Sequence, residues 1–261
     1  EPARSGSRLI GAHHDSPRID VKARPMYESQ GFVLFKTVYH GGIKKYQWTN
    51  VPLALDGRVD LKDGRTIVVE MGKGPEDPIF VIPDVAPHSD APYRSRTYTN
   101  VIEGEELNPV VGSIPDETGR VFNGTLKAIF NKYNINEEDF VSAELSLVPA
   151  DSPRDVGFDR GLTGAFGQDD RLSSYVAAHA ILDLKQTPKY TAIAYLTDNE
   201  ESGSNNNTGA ASVYLNNLYA TLVSAQLGRD YSDLDSRKAL SNAQVISADV
   251  TDGVNPIFLQ G

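Results

Sequence analysis

The sequence contains no cysteine. Disulfide bonds and thiolate zinc sites are therefore excluded, because both need cysteine sulfur. A metal ion in this protein would have to be bound by carboxylate and imidazole groups. No apolar run approaches the roughly 20 residues that a helix needs to cross a bilayer, so we expect no membrane partner. No signal peptide is visible, although the chain begins at Glu1 rather than at methionine.

An excess of positive charge is also missing. Asp and Glu number 35 and Lys and Arg number 25, which gives a formal net charge of −10. Surfaces that bind nucleic acid are normally basic, so we expect no nucleic-acid partner. The remaining composition, 39% hydrophobic and 23% charged, is ordinary for a globular protein. A chain of 261 residues can form one large or two modest domains.

Short apolar runs separated by turn residues dominate the middle of the chain. The runs are 32–35, 51–55, 66–69 and 79–82, and the turn signals are Asp56-Gly57, Asp63-Gly64 and Gly72-Lys73-Gly74. Runs of this length between Gly and Asp turns are typical of strands. One helix is predicted over 125–133 and a further strand over 143–148. The sequence therefore predicts a β-rich domain over residues 23–152.

The two flanking segments, 1–22 and 153–261, have the alternation of an α/β fold. Strands are predicted over 8–12, 190–196 and 243–248, and helices over 172–184 and from 209 to 222 or beyond. In the first of these helices Tyr175, Ala178, His179 and Leu182 share one face. Residues 228–238 read as a polar connection. The sequence predicts one α/β domain in two pieces, with the β-rich domain inserted between them.

Three predicted strands of the α/β domain each end at a candidate metal ligand. His13-His14-Asp15 follows the first strand, Glu200-Glu201 the second and Asp249 the third. Parallel strands bring their carboxyl ends to one edge of a sheet, so these side chains are expected to meet. Asp169-Asp170 precedes a helix and adds a fourth acidic point. Taken alone, that pair is most simply a helix cap.

Histidine and several carboxylates without thiols suit zinc, manganese or cobalt. More carboxylates than one ion needs indicate two ions that share a bridging ligand, as in aminopeptidases and phosphatases. Such ions activate a water molecule and polarise a carbonyl, while one of Glu200 and Glu201 takes the proton. Asp15 could bind the His13 imidazole and fix its tautomer. The simpler alternatives are a surface turn at His13-His14 and a solvated acidic turn at Glu200-Glu201.

Three other residues receive structural interpretations. His179 lies on the apolar face of a helix and is expected in a core or interface. His40, beside Gly41-Gly42, is expected in a turn. Trp48 is expected in a core or interface.

Four ordered motifs carry a resemblance to a known family. They are His13-x-Asp15-Ser16-Pro17, Gly167-Gln168-Asp169-Asp170-Arg171, the stretch 198–204 and Ile246-Ser247-Ala248-Asp249. Together they resemble the M18 metallo-aminopeptidases, the aspartyl aminopeptidase family. The stretches 39–48, 155–160 and 207–210 resemble its bacterial branch in particular. This resemblance implies a zinc-peptidase-like α/β catalytic domain with an inserted β-rich dimerisation domain.

The resemblance also implies roles for individual residues. The metal ligands would be His13, Asp169, Glu201 and Asp249. Asp169 would bridge both ions and form a cis peptide bond with Asp170. Glu200 would be the general base, and Asp15 would orient His13. No other cofactor is implied beyond two divalent ions, with zinc expected and cobalt or manganese as alternatives.

The same resemblance implies partners and a location. The substrates would be peptides, and the β-rich domain would form dimers that assemble into a tetrahedral dodecamer. His88 would reach the active site of a neighbouring subunit. The expected location is the cytoplasm.

One departure from the family pattern concerns a further metal ligand. The family has another histidine well beyond the Asp249 strand, whereas no histidine follows His179 here. The family also has a segment before the His13 motif. We therefore expect a chain that lacks N-terminal and C-terminal parts, and expect residues 1–261 alone to bind metal weakly and to be nearly inactive.

Three functions remain open from the sequence. The leading one is a two-metal aminopeptidase with Glu200 as general base. A related two-metal carboxypeptidase or N-deacylase would share the metal ligands, and a catalytically inactive assembly subunit would explain the absent histidine. The preferred N-terminal residue, acidic or apolar, the metal used in vivo and the oligomeric state are not determined by the sequence.

Overall fold

The computed structural model describes residues 3–230 and 232–259. The chain divides into two compact units, unit 1 (Glu1–Ser16 and Gly167–Gly261) and unit 2 (Pro17–Phe166). The β-rich unit thus begins earlier and ends later than the 23–152 expected from the sequence. The assignment of 1–22 and 153–261 to a catalytic domain and of 23–152 to a dimerisation domain stays a prediction.

The described residues form eleven strands and four α-helices. The strands are β1 (Ser7–His13), β2 (Arg18–Ser29), β3 (Phe32–His40), β4 (Leu53–Asp60), β5 (Thr66–Met71), β6 (Val110–Gly112), β7 (Ala143–Pro149), β8 (Arg154–Val156), β9 (Leu162–Gly164), β10 (Thr191–Thr197) and β11 (Gln244–Ser247). The helices are α1 (Val121–Tyr133), α2 (Gln168–Leu182), α3 (Tyr214–Leu227) and α4 (Asp233–Ser241). The mixture of helices and sheets confirms the predicted α/β class.

Unit 1 contains a parallel three-stranded sheet in the order β10-β1-β11. Leu9 of β1 pairs with Ile193 on one side and Val245 on the other. The β1–β10 pairing continues past the strand end, where the His14 N–H donates to the Thr197 carbonyl (3.0 Å). All three strands therefore end at the same edge, which confirms the arrangement predicted from their apolar sequences.

Helices α3 and α4 pack on the core of unit 1. Leu9, Tyr219, Val223 and Ala239 form that core, and the hydroxyls of Ser7 and Tyr219 are hydrogen-bonded inside it. Helix α4 was not predicted from the sequence, in which residues 228–238 were interpreted as a polar connection. The missed signal is the capping box at its start, in which Ser232 and Asp235 bond each other's main-chain N–H groups.

Helix α2 buries a different face from the one that its apolar pattern favours. Its buried side chains within the regular helix are Ser174 and Ala177. Tyr175 and Leu182, on the predicted apolar face, are 63% and 74% exposed. His179 stacks on Tyr175 with 4.2 Å between ring centroids, so it does not lie in a core of the described residues. The small side chains of Ser174 and Ala177 allow α2 to approach β1 closely.

Unit 2 is built on an antiparallel six-stranded sheet in the order β5-β4-β7-β2-β3-β6. The predicted β-rich character of this segment is confirmed. Its core includes Ile19, Leu53, Leu147 and Trp48, and Trp48 meets Phe166 edge to face. The prediction of a buried Trp48 is therefore confirmed. The strands β8 and β9 form a separate exposed pair.

Three predictions within unit 2 are wrong in detail. Asp56-Gly57 is not a turn but lies inside β4, where Gly57 has a φ of 145° and pairs with Leu145. Residues 79–82 form isolated bridges, such as Leu53 with Phe80, rather than a strand. His40, expected in a turn, is instead the last residue of β3, and its Nδ1 lies 2.8 Å from Asp20 Oδ2.

Candidate metal centre

His13 is the buried centre of the site in unit 1. It ends β1 and is only 4% exposed. Its Nδ1 lies 3.1 Å from Oδ1 of Asp15, the acid two residues later. The Asp15 carboxylate also accepts hydrogen bonds from the main-chain N–H groups of Glu200 (3.1 Å) and Glu201 (3.3 Å). Asp15 therefore joins the end of β1 to the turn that follows β10.

The other ring nitrogen of His13 faces three carboxylates. Its Nε2 lies 3.1 Å from Asp169 Oδ1, 3.7 Å from Asp249 Oδ1 and 3.8 Å from Glu200 Oε2. Among the described residues, His13, Asp169 and Asp249 each offer one ligand atom, and these atoms lie within 4.8 Å of one another. One imidazole nitrogen and two carboxylates are a donor set that zinc accepts.

Strand pairing and a helix start bring these carboxylates to His13. Asp249 follows β11, which is held against β1 by the hydrogen bond from Ala248 N–H to the Gly11 carbonyl (2.8 Å). Asp169 stands at the start of α2 with a non-helical backbone (φ −87°, ψ 109°), and its peptide bond to Asp170 is cis. The cis bond implied by the family resemblance is thus present.

The Asp169-Asp170 pair has two interpretations, a helix cap and a metal ligand, and each residue fits a different one. Asp170 is fully buried, and its Oδ1 accepts the N–H of Ser173 (3.2 Å), which is the contact of a helix cap. Asp169 is largely exposed and faces His13 instead. The cap interpretation therefore holds for Asp170 but not for Asp169.

The electrostatics of the site favour a bound cation. Burial opposes protonation of His13, but the charges of Asp15, Asp249 and Glu200 outweigh it and raise the pKa of the imidazole. Burial and the charge of Asp169 raise the pKa of Glu201. Several carboxylates crowd one imidazole here, and a divalent ion would offset their mutual repulsion.

Most of the residues singled out in the sequence come together in unit 1. Asp15, Asp169, Glu200 and Asp249 each place a carboxylate oxygen within 3.8 Å of a ring nitrogen of His13. The carboxylate of Glu201 does not join the group formed by His13, Asp169 and Asp249 in the described part of the chain.

His88 belongs to unit 2 and lies on an exposed turn, where Ser89 N–H donates to the Ala86 carbonyl (2.8 Å). Its placement in a neighbouring subunit's site stays a prediction.

Two serines at the site were not singled out as functional in the sequence. Ser16 was noted only as part of the His13 motif, and Ser174 carried no signal at all. Their hydroxyls donate to the main-chain carbonyls of the candidate ligand residues Asp169 and His13, respectively. Such contacts join residues that are far apart in the chain, so no local pattern reveals them.

The fold and donor set define an α/β protein in which one edge of a parallel sheet carries a group of side chains that could hold a metal ion. None of the helices in the described ranges is long and apolar enough to cross a membrane. A family model described as Aminopeptidase I zinc metalloprotease (M18) matches residues 1–260. The chain belongs to the M18 peptidase family.

Individual relatives agree with this membership. The chain is 45% identical over 261 residues to a probable M18 family aminopeptidase 1 of Borrelia garinii, covering 98% of this chain and 57% of that protein. An M18 aminopeptidase crystal structure from Thermotoga maritima is 41% identical with a TM-score of 0.91, covering 99% of this chain and 57% of the other. The chain thus spans little more than half the length of these relatives.

A more distant solved structure shares the fold. The mApe1 dodecamer of S. cerevisiae is 21% identical with a TM-score of 0.73, and the match covers 99% of this chain and 58% of that chain. At this identity the likeness shows the fold alone.

Proposed function

We propose that this chain carries the metal-binding core of a zinc-dependent aminopeptidase, a hydrolase that removes N-terminal residues from peptides. One observation carries the proposal. His13, Asp169 and Asp249 present ligand atoms within 4.8 Å of one another, and the Glu200 carboxylate lies 3.8 Å from the same imidazole nitrogen. Membership of the M18 family supports the same activity.

We propose that two divalent ions occupy the site. His13, Asp169 and Asp249 would hold one ion, and Asp169 and Glu201 would contribute to the other. Zinc fits the nitrogen and oxygen donors, and cobalt and manganese are alternatives. When bound, such ions polarise the scissile carbonyl and lower the pKa of water.

Glu200 is proposed as the general base and Asp15 as the residue that orients His13. The half-exposed Glu200 carboxylate can accept a proton from the attacking water and pass it to the departing amine. Its main-chain N–H is held by Asp15 (3.1 Å), which limits the movement of the turn. The contact of Asp15 with Nδ1 selects the imidazole tautomer whose Nε2 lone pair faces the carboxylates.

The proposal extends to the assembly of the whole protein. Unit 2 would mediate dimerisation, and His88 on its exposed turn would complete a neighbouring subunit's site. The dodecamer described for the S. cerevisiae relative is consistent with this, although that likeness shows the fold alone. Peptides would be the substrates, and the cytoplasm would be the location.

The test uses the complete gene product, because the 261 residues span little more than half of the relatives. The protein is stripped with a chelator and reloaded with zinc, cobalt or manganese. It is then assayed on peptides with acidic or apolar first residues, each with a free or an acetylated N-terminus. Metal-dependent release of the first residue from free but not acetylated peptides is the expected result.

Three other outcomes would replace the proposal. Release of the C-terminal residue would indicate a carboxypeptidase, and removal of the acetyl group would indicate a deacylase. Two tightly bound ions with no hydrolysis of any substrate in the panel would favour an inactive assembly subunit. No metal binding at all would contradict the metal centre itself.

A further inference from the structure

We propose that Ser16 and Ser174 are positioning residues that set the distance between the ligands His13 and Asp169. This inference rests on the proposed metal centre. Neither hydroxyl is a metal ligand in the proposal, and neither needs to contact a substrate. Each instead holds the main chain of a ligand residue through one hydrogen bond.

The two hydrogen bonds are reciprocal. Ser16 follows β1 and donates to the main-chain carbonyl of Asp169 (2.8 Å). Ser174 lies on α2 and donates to the main-chain carbonyl of His13 (2.6 Å). The end of β1 thus supplies the proposed ligand His13 and the Ser16 hydroxyl, and the start of α2 supplies Asp169 and the Ser174 hydroxyl. Each hydroxyl donates to the proposed ligand residue on the other segment.

This arrangement constrains the pair of ligand atoms closely. Both serines are 6% exposed, so water cannot readily replace their hydroxyls. Both bonds act on the two residues whose side chains meet, His13 Nε2 and Asp169 Oδ1, at 3.1 Å. Loss of either hydroxyl removes a hydrogen-bond donor from the main-chain carbonyl of Asp169 or His13. The main chain of that residue can then move.

Gly167 has no Cβ, and this leaves space for the Ser16 hydroxyl. Gly167 has a φ of 80°, and a Cβ at this position would lie 3.1 Å from Ser16 Oγ and 3.3 Å from Arg171 Nε. The glycine therefore permits both the turn into Asp169 and the approach of the hydroxyl that holds it.

Another buried serine of unit 1 supplies a matched control. Ser236 on α4 is 8% exposed, and its hydroxyl has no hydrogen-bond partner in the part of the chain that the structure describes. Ser236→Ala removes the same atom from a similarly buried place away from the metal centre. A general effect of replacing a buried serine of unit 1 by alanine would appear in this variant as well, whereas Ser16→Thr and Ser174→Thr test the hydrogen bond itself.

The experiment measures metal affinity in the complete gene product with Ser16→Ala, Ser174→Ala and the double variant. Zinc dissociation constants are obtained by competition with a chromophoric chelator, and Co²⁺ loading is followed by its visible absorption. Removal of a group that orients a ligand typically weakens binding about 10-fold to 100-fold. We expect each single variant to show such a loss and a changed Co²⁺ spectrum, while Ser236→Ala matches the wild type.

Two further variants keep the inference open to refutation. Ser16→Thr and Ser174→Thr retain a hydroxyl and should recover affinity relative to the alanine variants. The double alanine variant should lose less than the product of the two single losses, because both bonds hold the same spacing.

Unchanged zinc affinity and an unchanged Co²⁺ spectrum in folded Ser16→Ala and Ser174→Ala would overturn the inference, although the proposed function would stand. Equal losses in Ser236→Ala would overturn it too. A wild type that binds no metal would instead refute the proposed function. Circular dichroism of the metal-free proteins shows which variants are folded.

Discussion

Asp15 and His13 are joined by a 3.1 Å contact between Oδ1 and Nδ1, on the side of the ring away from the other carboxylates. The same Asp15 carboxylate accepts the N–H groups of Glu200 and Glu201. One side chain therefore contacts a proposed ligand and also accepts hydrogen bonds from the turn that bears the proposed base. Substitution of Asp15 should affect both.

Asp15→Asn should weaken zinc binding about 10-fold to 100-fold, the usual effect of losing a carboxylate behind a ligating histidine. The amide keeps the shape but removes the charge that fixes the tautomer of His13. Competition titration with a chelator measures the change. The control is Asp20→Asn in unit 2, since Asp20 Oδ2 likewise lies 2.8 Å from a histidine, His40. A similar loss in the control would contradict the special position of Asp15.

Glu200→Gln should reduce peptide hydrolysis about 10²-fold to 10⁴-fold, the range attributed to a general base, with little change in zinc affinity. The glutamine cannot accept the proton, whereas the proposed ligands His13, Asp169 and Asp249 are untouched. Glu201→Gln is the matched comparison and should instead lose metal. Steady-state kinetics and metal content on the same samples distinguish the two. Interchanged results would show that the two glutamates have been assigned the wrong way round.

Asp235 makes the stability of unit 1 depend on pH. The hydrogen bond from the Ser232 hydroxyl, with help from Arg229, lowers the pKa of Asp235 to about 2. In the unfolded chain the pKa is about 3.9. The carboxylate therefore stabilises the fold above about pH 4, and this contribution is lost as the pH falls towards 2.

Asp235→Asn should accordingly be less stable than the wild type at pH 7, and the difference should shrink as the pH falls from 5 to 2. Urea unfolding at several pH values measures it. Asp233→Asn is the control on the same helix, where the Asp233–Arg237 ion pair is exposed and should contribute little. A stability difference that stays constant down to pH 2 would exclude the ionised Asp235 as its cause.

Gly57→Ala should destabilise unit 2 severely, by about 4 kcal/mol or more, a range reached only when the structure cannot relax. A Cβ at Gly57 would lie 1.9 Å from the Glu144 carbonyl oxygen, and the φ of 145° disfavours other residues. Gly64→Ala is the matched control, because Gly64 also has a positive φ (87°) but open space around it.

The control should lose only about 1–2 kcal/mol, the cost of a left-handed conformation. Denaturant unfolding, or the soluble yield if the first variant does not fold, compares the two. Equal losses would show that the contact with Glu144 is not the cause.

The sequence by itself determined the strands of unit 1 and the edge at which they end. Short apolar runs such as 8–12 and 190–196 form buried strands. In a parallel sheet, the residues that follow such strands all lie at its carboxyl edge. The positions of His13, Glu200 and Asp249 along the chain therefore predict that these residues lie together. The hydrophobic periodicity also located α1 and most of α2, because it depends only on neighbours along the chain.

Only the tertiary structure decided which face of α2 is buried, that Asp170 is the residue that caps this helix, and that Gly57 lies within a strand. Each depends on the space left by residues that are remote in the sequence. Ser174 and His13 are separated by 161 positions, yet their hydrogen bond is 2.6 Å long. No local pattern encodes such a contact, since it exists only after the sheet and the helix have packed together.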